Sequence, residues 1–387
     1  MTSRERVLKA VNHEEADRVP IDLGGTLMSG IMASAYGRLK KHLGLDAKPP
    51  RVYELYQMLA EVEEPVLKRL HCDVAPLDPL TGFFEIKRER WKPWLLFDGT
   101  VVEAPGDFRA TVDPATGDLL LPPGGDTTRP PMGRMPKGGF YFDMIGSTQA
   151  ATDFKPPAVE DYKRGLKPIS DEELDHLRKR AEHLHHHTDY AVLGGWWGGG
   201  LGGVGTFADW MCLLVTEKAY VHDIFAAQVE NAVRSLERYS QAVGDDVDIL
   251  GVSGHDFGTQ KGELLSPALF AELYAPHFKR INDWIHQHTR MKTFFHCCGS
   301  MWNLLPIFVE MGVDIVNPVQ CSAANMDPGR LKERFGKQIA FWGGGVDTQK
   351  TLPFGTPDEV RAEVAERIRV FAPGGGFVFN AVHNIQH

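Results

Sequence analysis

A parallel α/β barrel of the (β/α)8 type is the fold this sequence predicts, and three observations predict it. From residue 190 onward, short apolar runs at 190–193, 249–253, 292–298, 314–319, 339–342 and 377–382 alternate with helical segments such as Pro267–His288, Trp302–Met311 and Pro357–Phe371. The runs are apolar at successive positions, as strands covered on both faces by helices must be. With two earlier strand patterns, Val19–Leu23 and Cys72–Asp78, the strand count approaches eight, the number that closes a barrel. An open doubly wound sheet is the alternative. No G-x-G-x-x-G joins a first strand to a helix, and the glycines of Gly194–Gly205 follow a later strand, so a dinucleotide-binding half is not indicated.

Taken in order, Ser3 is a plausible N-cap before RERVLKAVNH, and that helix yields near Asp17–Pro20 to the strand Val19–Leu23, closed by Gly24-Gly25. Residues 32–43 and 55–70 carry helical spacing, the second running into the buried-strand pattern Cys72–Asp78 with a carboxylate at its end. Between 83 and 143 the character changes to aromatics and turn residues, predicting hairpins at Asp98-Gly99 and Thr116-Gly117. We take 83–143 as an insertion near the barrel mouth, within one domain spanning residues 1–387. A helix-rich stretch, roughly 158–188, leads into the regular alternation. The chain stops at His387 directly after a strand that needs a covering helix, so a continuation is expected.

Composition narrows the function class. With 42 Lys and Arg against 51 Asp and Glu, the net charge of −9 argues against nucleic acid and anionic membrane surfaces, which require clustered cations. Five cysteines in 387 residues are too few and too odd for a disulfide framework, which points to a reducing compartment. The charged start MTSRERVLK lacks a following apolar segment and no run reaches about 18 apolar residues, so a cytoplasmic protein is expected. A homodimer is compatible with these residues.

The sharpest chemical signal is Phe294-Phe295-His296-Cys297-Cys298-Gly299. On a strand, residues two apart share a face, so His296 and Cys298 project together, and an imidazole with a thiolate suits zinc. A core histidine and cysteine would give the same spacing, and a third ligand separates the two cases. Strand ends of a barrel converge on one mouth, which brings Gln320, Cys321 and His383 within reach; His296, Cys298 and His383 would satisfy a three-ligand zinc site. His383 acting on substrate as a neutral imidazole is the alternative, and Cys321 reads better as a buried thiol. Asp256 and Asp78 also follow strands; each is a candidate proton donor or partner of a metal-bound histidine, or else a cap or loop carboxylate. Trp196, Trp197, Phe257 and Trp342 could line a pocket or simply pack. The cluster His183, His185, His186 and His187 sits at a helix end and reads as surface.

These residues meet a known family. The segments TSRERVLKAVNHEEADRVPID, SGHDFGTQKGELLSPALFAELYAP, HCCGS, GVDIVNPVQ, FWGGGVDTQKTLPFGTPDEV and APGGGFVFNAVHNIQ together resemble the uroporphyrinogen decarboxylase superfamily over essentially the whole chain. The resemblance implies a single barrel with the active site in its mouth, and one of two activities: cofactor-free decarboxylation of uroporphyrinogen, or zinc-dependent methyl transfer to or from corrinoid proteins. The decarboxylases carry an arginine-rich segment after the first strand that grips propionates, whereas this chain has no arginine between Arg18 and Arg38. His296-x-Cys298 is similar to the H-x-C pair of the superfamily's corrinoid methyltransferases, whose third ligand is a cysteine where this chain has His383. Gln320 falls about where methyltransferase-type sites carry an acidic ligand. The resemblance therefore implies a methyltransferase with Zn2+, a small methylated substrate (methyl ether or methylamine-like) and a partner protein carrying a corrinoid (cobalamin). A metal-free carboxy-lyase using Asp78 or Asp256, a thiol-methylating corrinoid enzyme, and a non-catalytic binding module on the same scaffold are the alternatives.

Overall fold

The computed structural model describes residues 1–146, 154–197 and 199–387. They form two compact units, one made of Met1–Asp22, Asp73–Asp78 and Thr148–His383, the other of Leu23–Cys72, Pro79–Ser147 and Asn384–His387. The first is built on an all-parallel, curled sheet of barrel type. Its strands are β1 (Val74–Leu77), β2 (Ala191–Gly194), β3 (Ile249–Ser253), β4 (Lys292–His296), β5 (Ile315–Asn317), β6 (Ala340–Trp342) and β7 (Phe377–Val378), each paired to the next in sequence.

The parallel sheet has seven strands rather than the eight expected. Val19–Leu23 survives only as a single parallel bridge from Ile21 to Phe379. Yet the backbone here bonds to both sheet edges: Phe379 N–H donates to Pro20 O at 2.8 Å, Asp22 N–H to Phe379 O at 2.8 Å, and Asp73 N–H to Ile21 O at 2.7 Å. A fuller ladder is blocked because Pro20 has no N–H and the Ile21 N–H goes instead to the Asp73 carboxylate at 2.8 Å.

Strand alternation then sorts the side chains. Val74, Leu193, Ile249, Phe294, Ile315, Trp342 and Val378 form one buried cluster, against which the helix Ser3–Val11 packs Val7, Ala10 and Val11. That helix starts one residue earlier than the sequence suggested: Thr2 and Glu5 form a reciprocal capping box, with the Thr2 hydroxyl accepting from Glu5 N–H and the Glu5 carboxylate from Thr2 N–H. On the opposite face of β4, Phe295 packs edge-to-face with Phe278 and at a tilt against Phe308, from the outer helices Ala275–His288 and Leu305–Glu310. The expected helix Pro267–His288 is divided at Tyr274, since Pro276 cannot donate to the preceding turn. No helix among the described residues is long and apolar enough to cross a membrane.

In the second unit, Lys92–Leu95 pairs with Val101–Ala104 across the Asp98-Gly99 turn, and Thr111–Val112 with Leu119–Leu121 across Thr116-Gly117. This unit is broader than 83–143, since it also holds the helix Ala33–Leu43. The helix expected at 55–70 is confined to Glu64–Arg69. The Glu54 carboxylate accepts the amides of Tyr56 (2.5 Å) and Gln57 (2.8 Å), which makes a turn, and Leu59–Ala60 folds back to pair with Val52–Glu54.

One histidine pair sets a pH dependence. His277 on the helix Ala275–His288 faces His222 on the helix Lys218–Val243, ring nitrogens 3.1 Å apart. Burial first, then the charge of His222 and Arg280, holds the His277 imidazole down at about 4. The unfolded chain takes up that proton near pH 6.5. Stability from this site is therefore complete above about pH 6.5 and is lost as the pH falls toward 4. Urea midpoints measured across that range should decline with acidification, and more shallowly in His277→Gln.

Candidate metal centre

The period-2 geometry of β4 places the first two donors. Phe294 belongs to the interior cluster, so His296, two residues on, faces the same way and is only 3% exposed. Cys298 follows just past the strand end, and its Sγ lies 3.3 Å from His296 Nε2. The loop after β7 brings in His383, whose ring centre is 5.6 Å from that of His296. One ligand atom from each of His296, Cys298 and His383 lies within 4.8 Å of the others, and this is the three-residue donor group found among the described residues. The chain can turn directly after Cys298 because Gly299 sits at φ +83, where a Cβ would meet the backbone of Gly258 and Thr259 at 2.6 Å.

Neighbouring groups prepare this set for a cation. Asn317 is the register partner of His296 across β4 and β5. Its side-chain amide donates to Trp342 O at 2.9 Å, which turns its Oδ1 toward His296 Nδ1 at 2.8 Å. An acceptor there requires the proton on Nδ1, leaving the Nε2 lone pair directed at the Cys298 side. The donor set thus fits zinc in residue type, mutual reach and tautomer. Replacing Asn317 with leucine should weaken zinc binding about 10- to 100-fold while the fold persists, read by competition with a chromogenic chelator.

Electrostatics divides the roles. Burial, then the Asp256 charge, pushes the Cys298 thiol far up, so a bound cation is what would hold it as thiolate. Burial and the neighbouring His296 hold His383 down at about 4, leaving it a neutral donor near pH 7. Asp256 is pushed up by burial, but the His296 imidazole (3.4 Å) and the Cys298 amide (2.8 Å) outweigh this and hold it at about 2. The Asp256 carboxylate, ionised at neutral pH, accepts the Cys298 N–H through Oδ1 and so fixes the start of the loop that carries the thiol.

The remaining candidates fall elsewhere. Asp78, directly after β1, faces Arg180 at 3.7 Å, while its carbonyl accepts from His176. Gln320 is buried, its Oε1 accepting the Gly299 N–H at 2.8 Å, so it braces the loop that carries Cys298. Cys321 lies outside the donor group; burial drives its thiol up to about 12. Trp342 is fully buried, its indole N–H donating to Asp22 at 2.8 Å, whereas Trp196 stands against His296 at 6.4 Å between ring centres. His186 approaches Asp246 at 3.4 Å at the helix end. Sequence reasoning missed Asn317, although it closes the run Ile315–Asn317 beside the His296 strand, and it passed over His255 next to Asp256.

Residues 197–387, which hold all three donors and Asp256, match the family model for uroporphyrinogen decarboxylase (URO-D). Over those residues the chain carries a domain of the uroporphyrinogen decarboxylase family type. Uroporphyrinogen decarboxylases of Neisseria meningitidis serogroup C (strain 053442) and Neisseria gonorrhoeae (strain NCCP11945) are 30% and 29% identical to it over 132 residues. Those alignments span 33% of this chain and 34% of each relative. In fold it is similar to a methyltransferase from Methanosarcina mazei, with a TM-score of 0.55 and 13% identity over 98% of this chain and 93% of that one.

Proposed function

We propose that this chain is a cytoplasmic zinc-dependent methyltransferase that moves a methyl group from a small methylated donor, a methyl ether or methylamine-like compound, to a corrinoid protein. The observation that carries the reading is the convergence of one thiol and two imidazoles within 4.8 Å at the strand ends. His296, Cys298 and His383 would hold the ion, which when bound supplies Lewis-acid polarisation of the heteroatom bearing the methyl group. Asn317 keeps the His296 proton on Nδ1, and the ionised Asp256 anchors the Cys298 amide. Metal analysis with a transfer assay tests this: about one zinc per chain, lost in His296→Ala, and methylation of a corrinoid acceptor from an ether or amine panel. A chain that retains no zinc under zinc-replete conditions, with its donor residues intact, sinks the reading.

The names of the curated relatives favour a second reading, a uroporphyrinogen decarboxylase-like lyase without metal. Against it stands the stretch from Val19 to Gly37, which has no arginine to pair with propionates. Carbon dioxide release from uroporphyrinogen by the metal-free chain would decide for the lyase.

A further inference from the structure

His183, His185, His186 and His187 crowd the last turns of the helix Asp171–His187. That helix runs into β2 at the end of the sheet where the parallel strands start, whereas His296 and Cys298 stand where β4 ends. The two groups of histidines are therefore separate. Buried Leu177, Ala181 and Leu184 seat the helix on the barrel, and this fixes where each imidazole goes. His185 and His186 approach one carboxylate oxygen, Asp246 Oδ1, at 3.8 and 3.4 Å. His183 and His187 stand one turn apart on an exposed stripe, their rings 5.1 Å between centres and 17° from parallel. Neither of these two rings makes a hydrogen bond or an ion pair among the described residues. On other helices, His176, His286 and His288 are engaged by the Asp78 carbonyl, the Asp314 carboxylate and the Trp284 carbonyl.

Two imidazoles facing each other across one helical turn are a bidentate metal ligand, and the packed helix holds their spacing before any ion arrives. The electrostatics agrees. The carbonyls at a helix end set a negative potential that favours a cation, and the ammonium on the same stripe, Lys179, is tied at 2.6 Å to Asp175, one turn further from the pair. Imidazole nitrogen prefers zinc, nickel and copper to magnesium or calcium. With two ligands and no thiolate, the affinity falls below that of the donor group, and dialysis removes the ion. We infer that His183 and His187 form a second metal site, on the surface, that takes one divalent transition ion of this class and clamps the end of the helix.

Ni2+ is the probe, titrated calorimetrically into the full chain after zinc loading and dialysis. The parent chain should bind one equivalent whose affinity falls at least about tenfold in His183→Ala and in His187→Ala, since chelation by two linked ligands is lost. His186→Ala, which leaves the pair intact, should bind as the parent does, and Mg2+ should show no difference among the four chains. Saturating Ni2+ should raise the urea midpoint of the parent but not that of His187→Ala, because an ion held by the folded pair binds the unfolded chain less well. Equal Ni2+ affinity in the parent and His187→Ala, or an equal loss in His186→Ala, overturns the inference. A parent midpoint that Ni2+ leaves unmoved also overturns it, and marks a histidine-rich tract that binds metal equally well without the fold. Each comparison is a difference between chains with the same donor group, so its outcome does not depend on the methyltransferase reading.

Discussion

Replacing Cys298 with alanine should strip zinc from the protein and lower methyl transfer by about three orders of magnitude or more, since two imidazoles alone make a poor zinc site. The thiol is 3.3 Å from His296 Nε2 and is the only sulfur in the three-residue donor group. Because burial and Asp256 disfavour its thiolate, zinc uptake must expel a proton. The sign follows: raising the pH favours uptake, and the apparent zinc affinity should climb about tenfold per pH unit across the neutral range. His383, held down at about 4, adds no second proton there. Two neighbouring thiols serve as controls. Cys297 is fully buried and accepts the Phe257 N–H at 3.4 Å, and Cys321 lies outside the group, so their alanine variants should keep about one zinc per chain. Zinc retained by Cys298→Ala, or lost equally in all three variants, contradicts the site.

The largest expected effect on stability lies away from the donor group. Asp73 is fully buried and accepts from Arg6 at 2.6 Å, from Arg18 at 2.7 and 2.9 Å, and from the Ile21 N–H at 2.8 Å. Its carboxylate thus ties the segment bridging β7 and β1 to two guanidinium groups. Asp73→Ala should cost about 3–5 kcal/mol, because one buried cation loses its inward partner and a backbone donor is left without an acceptor. Arg361, which pairs with Asp358 one turn away at the surface, gives the contrast: its alanine variant should shift stability by less than about 0.5 kcal/mol. Denaturant unfolding of both variants measures the difference, and comparable shifts would remove the special role of Asp73.

How much of this was legible differs by level. The strands at 191–194, 249–253 and 340–342 lie where their apolar runs predict them, since a strand covered on both faces leaves a continuous apolar signature. Residues 55–70 misled because helical spacing there competes with a local trap: Glu54 captures two backbone amides and Leu59–Ala60 finds a strand partner. The eighth strand failed for a similar reason, as an apolar run cannot reveal that Pro20 and the Asp73 carboxylate take its donors out of the ladder. The breadth of the second unit was hidden too, since its pieces are far apart in sequence.

For the site, the chain order already placed His296 and Cys298 on one face, because strand periodicity is a local property of the backbone. It also supplied the glycine that lets the chain turn after them. That His383 joins the pair, that Asn317 sets the tautomer and that Asp256 stays ionised depends on contacts between residues 21 to 87 positions apart. Such distances are set by how strands line up side by side and how loops close over their ends, which no short-range pattern encodes.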